Sequence, residues 1–180
     1  TYVLTGPTQP TNIVELNGFV LFLGYDAVNG GELWRSDGTQ AGTYLVKDIN
    51  PGTASSLTIL NYYSVLNNRL YFYAVDGVHG NEGWVSDGTS AGTFLIKDLC
   101  PGSGDGYFQN HIVYKNAVYY NGYSPTTGSG VYKTTGVAGD PTLAMNMSWS
   151  YIPAIINDTL YFAAYANPTA NYQYNYELHC

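Results

Sequence analysis

The chain is predicted to be all-β, built from four copies of one four-stranded unit. Three observations predict it: a long motif returns at an offset of 50 residues, a two-residue turn signal stands at the start of each copy, and no stretch carries a helical period. A unit of about 45 residues made of four antiparallel strands is the blade of a β-propeller. The expected architecture is a four-bladed β-propeller in one domain spanning residues 1–180, with units at about 6–52, 53–102, 103–145 and 146–180.

Each unit opens on a hairpin. Asn17-Gly18 precedes Phe19-Val20-Leu21-Phe22, Asn67-Asn68 precedes Arg69-Leu70-Tyr71-Phe72, Lys115-Asn116 precedes Ala117-Val118-Tyr119-Tyr120, and Asn157-Asp158 precedes Thr159-Leu160-Tyr161-Phe162. Asn and Gly accept the positive φ that a two-residue hairpin loop demands. The run Phe19 to Leu23 is apolar without alternation, as suits a strand covered on both faces. A third strand follows at Glu32-Leu33-Trp34, then Ser36-Asp37-Gly38-Thr39 as a hairpin loop, then a fourth strand at Thr43-Tyr44-Leu45-Val46. The same order returns from Glu82 to Gly102, more weakly from Val131 to Met145, and as a fragment at Glu177-Leu178-His179. Trp34, Trp84, Tyr132 and His179 hold equivalent places, where an aromatic fills the seam between neighbouring sheets.

The fourth unit carries no fourth strand of its own, and the first residues of the chain supply a match. Thr1-Tyr2-Val3-Leu4-Thr5 aligns with Thr43 to Lys47 and with Thr93 to Lys97. Thr1, Tyr2, Val3, Leu4 and Thr5 are therefore expected to close the last blade, which removes two raw sheet edges at once. Closure within one chain has the higher effective concentration. Closure in trans, onto a neighbouring subunit, would link molecules head to tail into filaments if the rotation does not close. Cys100 and Cys180 fall on opposite faces of blades across the ring, too far for the roughly 4.4–6.8 Å Cα separation of a disulfide. A disulfide between molecules, or two free thiols, is what remains.

Composition removes several functions. Six Lys+Arg stand against thirteen Asp+Glu, for a net charge of −7, so nothing here neutralises a phosphate backbone and nucleic acid is not an expected partner. No apolar run reaches the roughly 20 residues of a membrane helix. The chain starts at Thr1 with no basic leader behind it and reads as a processed chain or an excised segment. His79, His111 and His179 lie at non-equivalent places without metal-ligand or triad spacing, and no serine sits in a nucleophile elbow. No catalytic residue, metal site or cofactor is expected. Glu32, Glu82 and Glu177 recur one per unit, as do Asp37 and Asp87, and that period marks architecture; a calcium role for these loops or for Asp26 and Asp76 would need more oxygen ligands than each collects.

Surface candidates are fewer. Asn171-Tyr172-Gln173-Tyr174-Asn175-Tyr176 alternates strictly, so Tyr172, Tyr174 and Tyr176 would share one strand face, either packed between blades or offered to a sugar or a subunit. Asn146-Met147-Ser148 and Asn157-Asp158-Thr159 are N-glycosylation acceptor sequences, the second on an expected hairpin tip.

The run Glu-x-Trp-x-Ser-Asp-Gly-Thr followed by Ala-Gly-Thr-x-Leu-x-Lys-Asp, at Glu32 to Gly52 and Glu82 to Gly102, with Leu33 in the first copy and Gly83 in the second, resembles the Glu-Leu-Trp/Asp-Gly-Thr repeats of large secreted and surface proteins of bacteria. The resemblance covers about half of the chain. It implies a propeller, extracellular placement at the cell surface and a binding or structural role with no enzymatic chemistry attached. The function expected is a non-catalytic subunit of a surface layer, adhesive assembly or fibre, self-associating as a homo-oligomer or filament; the alternative is a lectin-like propeller with one glycan pocket per blade.

Overall fold

The computed structural model describes residues 6–57, 63–146, 150–165 and 176–179, which form four antiparallel sheets and no helix. The first sheet is β1 (Thr8–Leu16), β2 (Phe19–Asp26), β3 (Gly30–Ser36) and β4 (Tyr44–Lys47). The second is β5 (Tyr63–Leu66), β6 (Arg69–Ala74), β7 (Glu82–Ser86) and β8 (Phe94–Lys97). The third is β9 (Gln109–Tyr114), β10 (Ala117–Ser124), β11 (Gly128–Thr134) and β12 (Thr142–Asn146). The fourth shows three strands among the described residues: β13 (Ser150–Ile156), β14 (Thr159–Tyr165) and β15 (Tyr176–His179). Strands neighbour one another in chain order in every sheet, as the four-fold repeat predicts.

The four opening hairpins are built as their turn residues dictate. Leu16 pairs with Phe19, Leu66 with Arg69, Tyr114 with Ala117 and Ile156 with Thr159, leaving two residues per loop. Both loop residues have positive φ each time: 52° and 85° at Asn17 and Gly18, 52° and 56° at Asn67 and Asn68, 42° and 60° at Lys115 and Asn116, 49° and 56° at Asn157 and Asp158. These are the type I′ turns that match the twist of paired strands. Lys115 is the residue least suited to that region, since Lys lacks the short polar side chain that lets Asn tolerate it. Lys115→Asn is expected to stabilise the fold by roughly 0.5 kcal/mol in chemical denaturation; a loss would mean that the exposed Lys115–Asp158 ion pair, at 3.3 Å, outweighs the backbone gain.

The sequence did not announce a second shared feature. In the first three sheets the third-to-fourth strand register slips at the same place, between Leu33 and Trp34, Gly83 and Trp84, and Val131 and Tyr132. A bulge there bends the sheet edge beside the aromatic.

Packing follows strand alternation. On β6, Leu70, Phe72 and Ala74 join β2 and β3 residues Leu21 and Leu33 in one buried cluster, to which Trp84 belongs, while Tyr71 and Val85 point the other way into a second cluster with Val118, Tyr120 and Tyr132. A third cluster joins Val131 with Leu160 and Phe162. Sheet one thus packs on two, two on three and three on four; these contacts are the first, second and third seams. Phe72, Tyr120 and Phe162 are equivalent residues, and each faces the preceding sheet. The opening strands also meet: β5 lies against β9, and β9 against β13. Residues 1–5, the expected closing strand, lie outside the described residues.

Candidate functional site

The Asp-Gly-Thr loops are closed circuits of hydrogen bonds. In the first sheet Asp37 Oδ1 accepts from the amide and hydroxyl of Thr39, Thr39 Oγ1 accepts from the Gly42 amide, and Thr43 Oγ1 donates to the Thr39 carbonyl. Ser36 Oγ accepts from the Gly38 amide and shares a 2.7 Å bond with Thr43 Oγ1. The second sheet repeats every bond with Ser86, Asp87, Thr89, Gly92 and Thr93. Gly42 and Gly92 are obligatory, because a Cβ there would collide with the Asp37 or Asp87 carboxylate. In the third sheet the aspartate has moved along the loop: Asp140 accepts from Thr134 Oγ1, and from the amide and hydroxyl of Thr135. The carboxylates of all three loops are thereby committed to their own backbone.

Asp26 and Asp76 do the same for the loop between second and third strands. Asp26 Oδ1 accepts from Val28 and Asn29 amides, and Asp76 Oδ1 from Val78 and His79 amides. The carboxyl of Asp26 is held below its ordinary range by these donors, the Asn29 side chain foremost. Among the described residues no three of His, Cys, Asp and Glu converge on a point where a metal could sit.

Glu32 and Glu82 are fully buried. Glu32 accepts from the amides of Ile49, Asn50 and Ser56 and from the Ser56 hydroxyl, which pins the crossover between the first and second sheets. Glu82 accepts from the amides of Leu99 and Cys100 at the equivalent crossover. Position 56 becomes Gly106 there, and a Cβ on Gly106 would strike the Glu82 carboxylate. In the third sheet Gly130 replaces the glutamate. Glu177 is the second residue of β15 and pairs with Ala164.

Burial pushes both carboxyls from 4.5 up to about 7, although the donors around each pull the other way. The unfolded chain releases these protons near 4.5 and the folded chain only near 7, so the folded state binds more protons in between. Their contribution to stability is therefore fully present below about pH 4.5, declines as pH rises, and is level above about pH 7. His79, raised chiefly by its bond to Asp76, adds a contribution that is likewise lost on the alkaline side of 6.5. The lowered carboxyls of Asp26 and Asp37 lose their contribution only as pH falls below 3.8. Melting temperature is expected to be highest near pH 4.5 and to fall toward 7 in calorimetry; a profile flat across that window would contradict it.

Cationic and phenolic side chains hold the loops of the second and third sheets to the sheet before them. At the first seam Arg35 Nη1 donates to the Gly88 carbonyl, with its guanidinium 3.8 Å from the centre of the Phe19 ring, and Lys47 Nζ donates to the Thr93 carbonyl at 2.8 Å. At the second seam Arg69 Nη1 donates to the Gly136 carbonyl and the Tyr71 hydroxyl to the Thr135 carbonyl. Gly88 has φ 83° and its missing Cβ would lie 2.6 Å from the Phe19 ring; Gly136 has φ 82° and stands against the Tyr71 hydroxyl in the same way. At the third seam the corresponding loop of the fourth sheet lies outside the described residues. Two adjoining hollows of about 450 and 310 Å³ share Tyr119, Lys133 and Thr142, and extend to Ala117 on one side and to Met145 and Phe162 on the other.

The remaining sequence candidates are placed as follows. Cys100 is a half-buried free thiol after β8, with its pKa raised by burial and by the nearby Glu82, Asp98 and Asp105; Cys180 lies outside the described residues. Asn157 is exposed on its hairpin tip and Asn146 exposed at the end of β12. Tyr172 and Tyr174 lie outside the described residues, and Tyr176 begins β15 opposite Tyr165. The loop grips and the hollows beside the third sheet were missed in the sequence, although the cations Arg35, Lys47 and Arg69 stood beside the repeat landmarks. No protein-family model matches the chain, and no curated protein matches it.

Proposed function

We propose that this chain is a non-catalytic, extracellular building block: a four-bladed propeller that acts through its surface as a subunit of a surface layer, adhesive assembly or fibre. The observation that carries this reading is the reuse of bonds. Ser36, Asp37, Thr39 and Thr43 in one sheet and Ser86, Asp87, Thr89 and Thr93 in the next make the same contacts, and Glu32 and Glu82 pin the same crossovers. Polar and acidic side chains that hold their own backbone in the same way in successive repeats build a scaffold.

A ring is supported by the succession of seams. Leu21, Tyr71 and Tyr119 face the following sheet, so Tyr161 faces whatever follows the fourth. Phe72, Tyr120 and Phe162 face the preceding sheet, so Phe22 faces whatever precedes the first. Four blades close when those two faces meet, with the expected strand Thr1–Thr5 completing the last blade. The lectin-like alternative calls for equivalent pockets in successive blades. Light scattering with and without reductant tests the proposal. Association is expected, reductant-sensitive if Cys100 and Cys180 bridge molecules; a monomer of 19.6 kDa in both conditions, or a glycan-array signal from that monomer, would overturn it.

A further inference from the structure

Two joints of the same design differ in one ionisable residue. In each of the first two sheets an aspartate holds the loop between second and third strands, and the residue three places on completes the hold: Asn29 Nδ2 donates to Asp26 Oδ2 at 2.8 Å, and His79 Nδ1 meets Asp76 Oδ2 at 2.7 Å. The loop of the second sheet lies against the crossover that leads to the third. A Cβ on Gly80 would strike the Gly104 carbonyl, and the amide and side chain of Asn81 both donate to Asp105 Oδ1. His79 reaches across the same contact with its other nitrogen, Nε2, which lies 3.8 Å from Asp98 Oδ2. Asp98 Oδ1 is buried with no hydrogen-bond donor among the described residues.

Carboxyl groups face the imidazole from every element packed against it: Asp76 on its own loop, Glu82 at the start of β7 and Asp98 just after β8. Asp105 and the Cys100 thiol lie on the same crossover. Because Asp76 keeps a proton on Nδ1, the proton that titrates is the one on Nε2. With it, the ring offers Asp98 a donor and a positive charge; without it, a lone pair faces a carboxylate. Glu82 loses its own proton at about 7, so the joint gains a second negative charge in the same range. The crossover is also the looser of the two. Pro101-Gly-Ser-Gly-Asp-Gly106 stands where the first sheet has Pro51-Gly-Thr-Ala-Ser-Ser56, and each added glycine widens the freedom of the opened chain. Gly106 brings no hydroxyl to Glu82, whereas Ser56 brings one to Glu32. We propose that His79 is an acid-closed latch on the joint between the second and third sheets: protonated, it bridges Asp76 and Asp98 and holds residues 76–81 on residues 98–106; unprotonated, it lets that crossover open locally while the sheets stay folded. His79 is raised chiefly by its bond to Asp76 and further by Asp98 and Glu82, so release falls on the alkaline side of 6.5. The latch goes beyond the building-block reading, because it makes one joint of the block respond to acidity.

Native-state amide hydrogen exchange on the whole chain, corrected for the intrinsic rate at each pH, tests it. The first joint is the internal control: Glu32 titrates there as Glu82 does in the second, and Asn29 does not titrate. From about pH 5.5 to about pH 8, protection at Leu99 and Cys100 is expected to fall at least about fivefold more than at Ile49 and Asn50. The His79 side chain is 30% exposed, so it can be replaced without opening a cavity. His79→Asn copies the first joint and is expected to remove the excess by lowering protection in acid. His79→Lys keeps a positive charge throughout and is expected to remove it by keeping protection high at the alkaline end. Equal falls at the two joints of the parent chain, or an excess that survives in His79→Asn, would overturn the latch and assign the response to the buried glutamates alone.

Discussion

Glu82→Ala is expected to destabilise the fold by about 3–5 kcal/mol in urea denaturation, among the largest effects of any single substitution in the chain. The carboxylate is fully buried and accepts from Leu99 and Cys100 at the crossover between the second and third sheets. Truncation strips those amides of their acceptor inside a space that water does not reach, and each buried donor left unmet costs about 1–3 kcal/mol. It also opens a cavity under Gly106, whose lack of a side chain is fitted to the carboxylate. Glu32→Ala should cost at least as much, because Glu32 holds three amides and the Ser56 hydroxyl. Glu82→Gln separates charge from shape: it keeps the cavity filled but turns an NH₂ toward donors, so roughly half of the loss is expected. A cost below about 1 kcal/mol for Glu82→Ala would mean that the crossover holds itself without the carboxylate, and that the repeat of glutamates has another cause.

What the sequence made legible was whatever backbone conformation demands of residue type. Positive φ at two consecutive positions selects Asn, Gly and Asp, so the four opening hairpins and the strand order could be read directly. The period of Glu32 and Glu82 marked them as architecture, but not which atoms they hold, because their donors come from amides 17 to 24 residues away that any residue type supplies. Compensating changes hid in the same way. Leu33 of the first sheet becomes Gly83 in the second, and the fully buried Phe108 fills the gap, its ring 2.8 Å from where a Cβ on Gly83 would stand. The third loop looked degenerate for want of an aspartate after Thr134, yet Asp140 restores the circuit from further along the chain. A repeat can lose its letters and keep its bonds when the replacement arrives from a neighbouring position. The hollows beside the third sheet were illegible for the opposite reason: small Ala117 and exposed Lys133, which line them, carry no local signal of a hollow.

Trp84→Ala and Trp34→Ala together test the ring. Trp84 is 6% exposed within the cluster that joins the first and second sheets, and its loss is expected to cost roughly 3–5 kcal/mol from lost burial and the cavity left behind. Trp34 occupies the equivalent place one sheet earlier, paired with Phe22 as Trp84 is with Phe72. Its indole Nε1 is buried, Phe22 beside it is 6% exposed, and neither belongs to any of the three clusters that join successive described sheets. Trp34 also packs over Gly24, where a Cβ would lie 2.9 Å from the indole, just as Tyr132 packs over Gly122. An aromatic face prepared like those of the second and third sheets is what a closing fourth seam requires. If it closes, Trp34→Ala should cost within about 1 kcal/mol of Trp84→Ala, since both fill seams of the same design. A loss of only about 1 kcal/mol for Trp34→Ala, beside a full loss for Trp84→Ala, is what a ring without a facing sheet gives. In that case the four sheets form an open stack, and the aromatic face of the first sheet is a terminus rather than a seam.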